Sequence, residues 1–475
     1  MSVAARTIRV VNPATGQEVA SYDEHSSDDI EQAIADAAHA QRAWREATFA
    51  DRARVVRALA SVLRDRQAEY ARLITTEMGK PLAEAAAEVE KCAWTCEYFA
   101  EHAEGFLAAT PVDTAASASY LAYEPLGVVL AIMPWNFPFF QVVRFAAPAL
   151  MAGNAALLKH SPNTSGCALA VEEALSEAGL PSGLFRALLV SDAAVGEVTA
   201  GIIDDPRVAA VTLTGSERAG TAVGAAAGGA LKKSVLELGG SDPFVVLDDA
   251  DVDLAARMAA RARFLNGGQS CISAKRFIVA EAVADEFERR FVDAVQAIPV
   301  GDPLDEDTGL GPLARLDLVD ALDQQVRASV DAGARLLAGG HRLERPGFYY
   351  APTVLADVAP NMPVFREETF GPAAAVVRAR DDDHAVELAN DTAFGLGASV
   401  WTADGERGQR VGRRLQSGSL FVNAIVASDP RLPFGGTKRS GYGRELAAEG
   451  IREFVNVRTF WVATPTATEP APLTE

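Results

Sequence analysis

Cysteine is scarce in this chain, with only four among 475 residues: Cys92, Cys96, Cys167 and Cys271. So few cysteines, so widely spaced, do not form the disulfide framework of a small secreted domain. Cys92 and Cys96 lie four residues apart in a helical pattern, and no nearby histidine or second cysteine pair completes a zinc site with them. We therefore predict a reducing, cytoplasmic location and no bound metal.

Basic residues are also in deficit, because 44 Lys and Arg face 64 Asp and Glu and leave a net charge of −20. A field of this sign repels nucleic acid and anionic membrane surfaces, so neither is expected as a partner. The simplest role of the acidity is to keep the protein in solution. It says nothing about the charge inside a pocket.

Long hydrophobic runs are absent as well. No uncharged apolar stretch is long enough to cross a bilayer, and residues 1–6 lack the apolar segment of a signal peptide. We therefore expect neither a membrane span nor a secretory leader.

Shorter apolar runs are present and carry the fold prediction. Residues 128–133, 155–158, 209–213 and 234–236 are apolar without polar alternation, and helical stretches separate them. Such runs predict a parallel sheet that is buried on both faces. This pattern is typical of doubly wound nucleotide-binding domains, whose ligands lie beyond the carboxyl ends of the strands.

A second set of strands and helices follows, so the chain is predicted to be α/β, with two doubly wound domains that meet near Gly239 and Gly240. Before the first sheet, one long helix is predicted over residues 51–78. The predicted parts are a dinucleotide-binding domain at 1–113 and 127–239, a catalytic domain with the nucleophilic cysteine at 240–440, and oligomerisation strands with a C-terminal tail at 114–126 and 441–475.

Two separated segments complete this plan as a small antiparallel element. Residues 117–123 and 454–462 alternate like exposed strands, and exposed strand edges need a partner. We expect them to pair with each other and with a second subunit, in a homodimer or homotetramer. The tail at 464–475, rich in Pro, Thr and Glu, is predicted to be disordered.

The strongest chemical signal is the segment FLNGGQSC, which ends at Cys271. A cysteine after a glycine-containing turn is exposed in a cleft, close to backbone N–H groups that favour the thiolate. An arbitrary free cysteine is more often an inert core residue. The polar, glycine-rich lead-in here favours a nucleophile.

Glu237 is the second candidate, because it ends an apolar strand and two glycines follow it closely. Burial at that edge raises the pKa of a carboxyl group and suits it to act as a base near neutrality. The alternative is a glutamate that only caps a helix or bonds the backbone of the turn.

Three further segments follow predicted strands. Asn136, within PWNFP, has a side-chain amide that suits an oxyanion, among aromatic rings that suit a dry tunnel. Gly215 and Ser216 form a strand–turn–helix junction able to receive a pyrophosphate, although the three-glycine dinucleotide fingerprint is absent. Lys159 ends another strand, where a cation suits ribose hydroxyls or a phosphate.

Together these motifs resemble the aldehyde dehydrogenase superfamily, most closely its succinate-semialdehyde dehydrogenase branch, over nearly the whole chain. The family pattern also occurs in EETFGP, in Asn423 and in PFGG, and at Lys438, Ser440, Gly441, Gly443, Arg444 and Glu445. The resemblance implies an NAD(P)-dependent enzyme that oxidises a small aldehyde through a thioester on cysteine.

The resemblance also implies residue roles. Cys271 would be the nucleophile and Glu237 the general base, with Asn136 and the backbone N–H of Cys271 as the oxyanion hole. Lys159 would hold the adenine ribose, Ser216 the pyrophosphate and Glu368 the nicotinamide ribose. The implied cofactor-binding residues are Trp135, Lys159, Ser161, Gly215, Ser216, Leu238, Glu368 and Phe370.

The succinate-semialdehyde branch carries an arginine and a serine that correspond to Arg144 and Ser428. An arginine in an aromatic tunnel binds a carboxylate through paired hydrogen bonds; the alternative is an arginine at the domain surface. Phe137 and Phe434 are the expected walls. Some members have a second arginine where this chain has Leu265, so selectivity for the acid is expected to be looser. Succinate semialdehyde is favoured as substrate, with glutarate semialdehyde next.

Many NAD-specific relatives have a glutamate three residues after the ribose-binding lysine, and this chain has Pro162 there. Without that repulsive carboxylate, NADP is slightly favoured and NAD is accepted. Three rival readings remain open. They are a broad-range dehydrogenase, an acylating enzyme that releases a CoA thioester, and a non-enzymatic structural relative. Acylating enzymes often lack the general base that Glu237 would provide here.

Overall fold

Strands and helices alternate through most of the chain in a computed structural model that describes residues 6–464. The strands are β1 (Thr7–Asn12), β2 (Gln17–Asp23), β3 (Thr110–Pro111), β4 (Ala118–Pro125), β5 (Val128–Met133), β6 (Ala155–His160), β7 (Phe185–Leu188), β8 (Val208–Thr214), β9 (Lys233–Glu237), β10 (Asp242–Val246), β11 (Ala274–Ala280), β12 (Arg335–Ala338), β13 (Thr353–Ala356), β14 (Ala373–Ala379), β15 (Gly397–Trp401), β16 (Ser419–Val422), β17 (Gly441–Tyr442) and β18 (Val455–Val462). The helices are α1 (Ser27–Trp44), α2 (Phe49–Asp65), α3 (Gln67–Met78), α4 (Leu82–Phe106), α5 (Phe140–Met151), α6 (Ser165–Glu177), α7 (Val195–Asp204), α8 (Glu217–Gly229), α9 (Val252–Phe264), α10 (Glu281–Gln296), α11 (Leu316–Asp331), α12 (Pro363–Arg366), α13 (Asp382–Asn390), α14 (Gly405–Gly412) and α15 (Ala447–Arg452).

The first large sheet has six strands in the order β17-β9-β8-β5-β6-β7. All neighbours are parallel except β17, which runs antiparallel to β9. Strands β5 and β6 are almost entirely buried because helices cover both faces, as their unbroken apolar runs predict. Residues 441–442 thus belong to this sheet, although they fall in the segment predicted to serve oligomerisation.

The second large sheet has seven strands in the order β12-β13-β14-β11-β10-β15-β16. Only β12 is antiparallel to its neighbour. The two large sheets lie on either side of residues 239–240 in the chain, apart from the short strand β17. Two doubly wound sheets with a small antiparallel element confirm the predicted fold class.

The small element is a three-stranded sheet in the order β18-β4-β3. Strands β4 and β18 pair antiparallel along their full lengths, from Ala118 opposite Val462 to Pro125 opposite Val455. The predicted pairing of these two segments with each other is therefore confirmed. Val457 and Trp461 on β18 are more than half exposed.

One helix prediction is wrong. Residues 51–78 form two helices rather than one, because α2 ends at Asp65 and α3 begins at Gln67. Arg66 between them leaves helical geometry, and its guanidinium donates to Glu69 and to two glutamates on α6. No glycine or proline within residues 51–78 marks this break in the sequence.

The carboxyl ends of the parallel strands position the candidate site. Met133, His160, Thr214 and Glu237 are the last residues of neighbouring strands, so they meet at one edge of the first sheet. Helix α4 packs against α5, which begins at that edge. No helix within residues 6–464 combines the length and apolarity that a membrane crossing requires.

Candidate active site

Cys271 lies in a tight turn that follows helix α9. Asn266, Gly267 and Gly268 have φ values of 55°, 63° and 71°, in the left-handed region. A Cβ atom on Gly268 would lie 2.4 Å from the carbonyl oxygen of Gly371, so only glycine fits there. The turn brings Cys271 to a partly exposed position, whereas Cys92, Cys96 and Cys167 are buried.

The structure brings Asn136 to this turn, as the sequence predicts. Its Nδ2 atom donates to the backbone carbonyl oxygen of Gln269 at 2.9 Å, and its own backbone carbonyl oxygen accepts from Asn266 Nδ2 at 2.8 Å. From helix α4, Glu84 accepts from the backbone N–H of Asn266 at 2.8 Å. These bonds fix the amide of Asn136 beside the cysteine turn, and the amide has a second hydrogen to donate.

The predicted preference of Cys271 for its thiolate form is not reproduced. Removal of water by the surrounding protein raises the pKa of the thiol to about 12, and Lys275 and Arg144 oppose that rise. Lys275 is fully buried, and its Nζ donates to the carbonyl oxygens of Ser270 and Cys271 at 2.8 and 2.7 Å. A base is therefore needed to accept the thiol proton near neutral pH.

Glu237 is buried at the end of β9, and within residues 6–464 neither of its carboxyl oxygens has a hydrogen-bond partner. Burial, and next the charge of Glu445, raise its pKa well above the usual value, as predicted, while Arg144 lowers it. A Cβ on Gly435 would lie 2.7 Å from Glu237 Oε1, so that glycine makes room for the carboxyl group. Glu237 is not among the residues that line the cavity of Cys271.

Arg144, on α5, lies where the sequence predicts, in the wall of the cavity with Cys271. Its guanidinium is already engaged, since Nε forms an ion pair with buried Glu445 and Nη2 donates to Thr214 Oγ1 at 3.3 Å. The same guanidinium lies 4.8 Å from the ring centre of Phe434. Arg144 therefore reaches the cavity with much of its charge neutralised.

The cavity that contains Cys271 has a volume of about 300 Å³. It includes all the predicted substrate-binding side chains and several further charged ones. Its polar, charged and aromatic lining is Lys80, Glu84, Glu88, Lys91, Phe137, Phe140, Gln141, Arg144, Arg261, Ser270, Cys271, Ser273, Ser428 and Phe434. The shape and lining suit a short aldehyde that carries a charge.

One buried ion pair, between Lys80 just before α4 and Glu88 on α4, supports this wall. Lys80 and Glu88 form a buried ion pair, and the ammonium lies 3.8 Å from the ring centre of Phe137. Glu88 also accepts from the backbone N–H groups of Phe139 and Phe140, at 2.9 and 3.0 Å. Helix α4 thereby fixes the start of α5, the helix that carries Arg144.

The predicted cofactor residues cluster at the strand ends of the first sheet. Lys159 is buried at the end of β6, and burial lowers its pKa. Ser161 follows it and donates to Asn163 Oδ1 at 2.7 Å. Ser216 caps α8 by accepting from the backbone N–H of Ala219 at 3.3 Å, and Gly215 donates to the backbone of Glu237 at 3.0 Å.

Four further predicted cofactor residues lie in loops that follow β5 and β9 or precede β14. The rings of Trp135 and Phe370 meet edge to face with centres 5.7 Å apart. Glu368 accepts from the backbone N–H of Gly240 at 2.9 Å, and burial raises its pKa. Leu238 packs so closely on α8 that a Cβ on Gly220 would lie 2.4 Å from its side chain. The predicted cofactor residues thus lie near the strand ends of the first sheet and in the loop before β14.

Several charged residues of the site could not be identified from the sequence. Lys275 holds the cysteine turn, Arg315 lies 5.6 Å from the ring centre of Trp135, and Lys91 donates to Ser428 Oγ at 2.6 Å. Lys91 lies one residue before Cys92 on α4. The sequence of this helix has an ordinary amphipathic pattern, so nothing in it singles out Lys91. Glu445 is part of a motif, but no pattern indicates that it pairs with Arg144.

Comparisons with known proteins agree with this geometry. The model of the aldehyde dehydrogenase family matches residues 1–460. A probable NADP(+) succinate-semialdehyde dehydrogenase from Synechocystis sp. is 50% identical over 456 residues, which cover 96% of this chain and 100% of that protein. The NAD(P)+ succinate semialdehyde dehydrogenase Sad of Escherichia coli is 49% identical over 95% of this chain and 97% of that protein. The crystal structure of succinic semialdehyde dehydrogenase from Streptococcus pyogenes in complex with NADP+ is 35% identical with a TM-score of 0.93, over 96% of this chain and 100% of that chain.

Proposed function

Because the chain belongs to the aldehyde dehydrogenase family, we propose that it oxidises succinate semialdehyde to succinate with NADP or NAD. The family match confirms the resemblance that the sequence motifs predict. The observation that carries the substrate proposal is the cavity of about 300 Å³ in which the Cys271 thiol shares its walls with the cations Lys91 and Arg144. A cationic wall favours an aldehyde with a carboxylate over a neutral one.

In this proposal Cys271 is the nucleophile that attacks the aldehyde carbon. Its raised pKa means that the thiol gives up its proton to solvent water in the cavity as the carbon–sulfur bond forms. Asn136, held beside the turn by its bond to Gln269, donates its second amide hydrogen to the oxyanion together with the backbone N–H of Cys271. Loss of two electrons and one hydrogen from the carbon then leaves a thioester on the sulfur.

Glu237 is the base that removes a proton from water during hydrolysis of this thioester. It lies outside the wall of the cavity, so its side chain must rotate to reach the acyl group. Its pKa is raised, and the base form therefore gains population as pH rises. This base favours hydrolysis over transfer of the acyl group to CoA.

The donor set at the strand ends fits a nicotinamide dinucleotide. The Lys159 ammonium, the Ser216 hydroxyl and the first amides of α8 suit ribose and phosphate oxygens, whereas the Glu368 carboxylate suits ribose hydroxyls. Trp135, Ser161, Gly215, Leu238 and Phe370 complete the cleft. When bound, the nicotinamide ring supplies the redox step by accepting two electrons and one hydrogen from the substrate.

Arg144→Met is expected to lower kcat for charged and uncharged aldehydes alike. Arg144 lowers the pKa of Glu237, so its removal raises that pKa further and leaves less of the base form at neutral pH. The acid limb of the profile of kcat against pH should therefore move to higher pH. Arg261→Met, which removes an exposed cation from the same cavity, should leave that limb in place. An unmoved limb in Arg144→Met, with only the KM for succinate semialdehyde increased, would contradict this role.

Steady-state kinetics with succinate semialdehyde, glutarate semialdehyde and butanal, each with NADP and with NAD, test the proposed function. We expect succinate semialdehyde to have the highest kcat/KM, glutarate semialdehyde to be next, and butanal to be lower by about ten- to a hundredfold. Both cofactors should be used, with NADP preferred and no need for CoA. Equal use of butanal would indicate a broad-range enzyme, and CoA dependence an acylating one. No NAD(P)H formation with any aldehyde would indicate a non-enzymatic relative.

We further propose a cytoplasmic homodimer or homotetramer. The four cysteines form no disulfide, as expected in a reducing compartment, and β18 presents an exposed apolar edge to a second subunit. The domain division remains a proposal too, with a dinucleotide-binding domain at 1–113 and 127–239, a catalytic domain at 240–440, and 114–126 with 441–475 for assembly.

A further inference from the structure

Lys91 is a cation in the wall of the cavity that no motif singled out. It lies on α4, half-buried, and shares the cavity with Cys271. Its Nζ donates to Ser428 Oγ at 2.6 Å and lies 4.4 Å from the ring centre of Phe140. An ammonium group has three hydrogens to donate, so these two contacts leave a donor for a ligand.

The acids that act electrostatically on Lys91 are engaged elsewhere. Glu88 forms a buried ion pair with Lys80, and Asp429 pairs with Arg431. Their remaining effect does not offset burial, which lowers the pKa of Lys91 to about 8. A buried ammonium in this state gains stability when a carboxylate reaches it.

Arg144 already has an ionic partner in Glu445, so its interaction with a substrate anion is shared with that acid. Lys91 has a hydroxyl neighbour instead of an acid, and Ser428 accepts from the ammonium while its own hydrogen stays available. The Lys91–Ser428 pair therefore offers two donors to one anion.

We propose that Lys91, together with Ser428, binds the carboxylate of the semialdehyde while the aldehyde carbon lies at Cys271. Lys91 is then a specificity-determining residue in addition to Arg144, which shares the same cavity. This inference rests on the proposed function, since it assigns the residue that recognises the acid of that same substrate. In some relatives an arginine stands at the position of Leu265. In this chain, Lys91 and Ser428 would supply the contact that such an arginine makes.

Lys91→Met removes the charge and keeps most of the side-chain volume. We expect the KM for succinate semialdehyde to rise by about ten- to a hundredfold while kcat changes little, so that the ratio of kcat/KM for succinate semialdehyde to that for butanal collapses. Lys91→Arg should restore part of this ratio. Lys233→Met is the matched control, because it removes the same charge outside the cavity. Ser428→Ala provides a second test in a variant that keeps the lysine. We expect it to lower the same ratio of kcat/KM values, but by less than Lys91→Met does.

Each outcome separates this inference from the proposed function. If the wild-type enzyme shows no preference for succinate semialdehyde over butanal, both the function and the role of Lys91 are wrong. If the wild-type enzyme has that preference and Lys91→Met retains it, only the role of Lys91 is wrong. If Lys91→Met is not folded, an unchanged ratio in Ser428→Ala overturns the inference, and a reduced ratio supports it.

Discussion

Cys271→Ala is expected to lower turnover of succinate semialdehyde by at least about 10⁴-fold, because the sulfur forms the bond on which every later step depends. Dinucleotide binding should persist, since none of the proposed cofactor contacts involves the thiol. Initial rates of NADPH formation measure the first effect, and calorimetric titration with NADP measures the second.

Cys96→Ala is the matched control for this variant. Cys96 is buried on α4 and outside the cavity, so the same change there should leave turnover close to that of the wild-type enzyme. Turnover by Cys271→Ala near the wild-type rate would remove the sulfur from the mechanism. Loss of both turnover and NADP binding would indicate damage to the fold instead.

Glu237→Gln is expected to separate oxidation from hydrolysis. Glutamine keeps the size of the side chain but cannot accept a proton, so the thioester should form once and then accumulate. We expect a burst of NADPH that matches the number of active sites, followed by a steady rate lower by about 10²- to 10⁴-fold. Rapid-mixing absorbance measurements resolve the two phases.

Hydroxylamine distinguishes this effect from a general loss of activity. It attacks a thioester without help from a base, so it should raise the steady rate of Glu237→Gln and leave Cys271→Ala inactive. A steady rate near wild type, or the absence of a burst, would mean that another group activates the water.

The buried strands of the first sheet could be predicted because short, unbroken apolar runs separated by helices are typical of a parallel sheet that is buried on both faces. Strand β14 could not, since its alanines favour a helix and only its position between β11 and β13 makes it a strand. The break at Arg66 could not be predicted either, because no glycine or proline marks it, and its contacts with α6 appear only in the structure. Local sequence carries no record of contacts between distant segments.

The features of the candidate site also fall into two groups, those that the sequence indicates and those that only the structure reveals. Cys271, Glu237 and Lys159 could be placed because each ends a strand or follows a glycine turn with a recognisable pattern. The ion pair of Arg144 with Glu445 and the bond of Lys91 to Ser428 join segments that lie far apart in the chain. Sequence therefore identifies the reacting groups, whereas the charge balance around them requires the structure.

That charge balance determines how the proposed chemistry depends on pH. Arg144 pairs with Glu445, and Glu237 has a raised pKa, so the base form of Glu237 forms at a higher pH than that of an ordinary glutamate. The thiol of Cys271 also has a raised pKa. Both shifts have the same sign, and kcat should rise with pH through the neutral range.

The acyl group on Cys271 is the central claim, and mass spectrometry of acid-quenched Glu237→Gln tests it most directly. After reaction with succinate semialdehyde and NADP, the peptide that contains Cys271 should carry the mass of one succinyl group, and hydroxylamine should remove it. Peptides with the three buried cysteines should be unmodified. A quenched enzyme that has produced its burst of NADPH without a succinyl group on Cys271 would contradict the account.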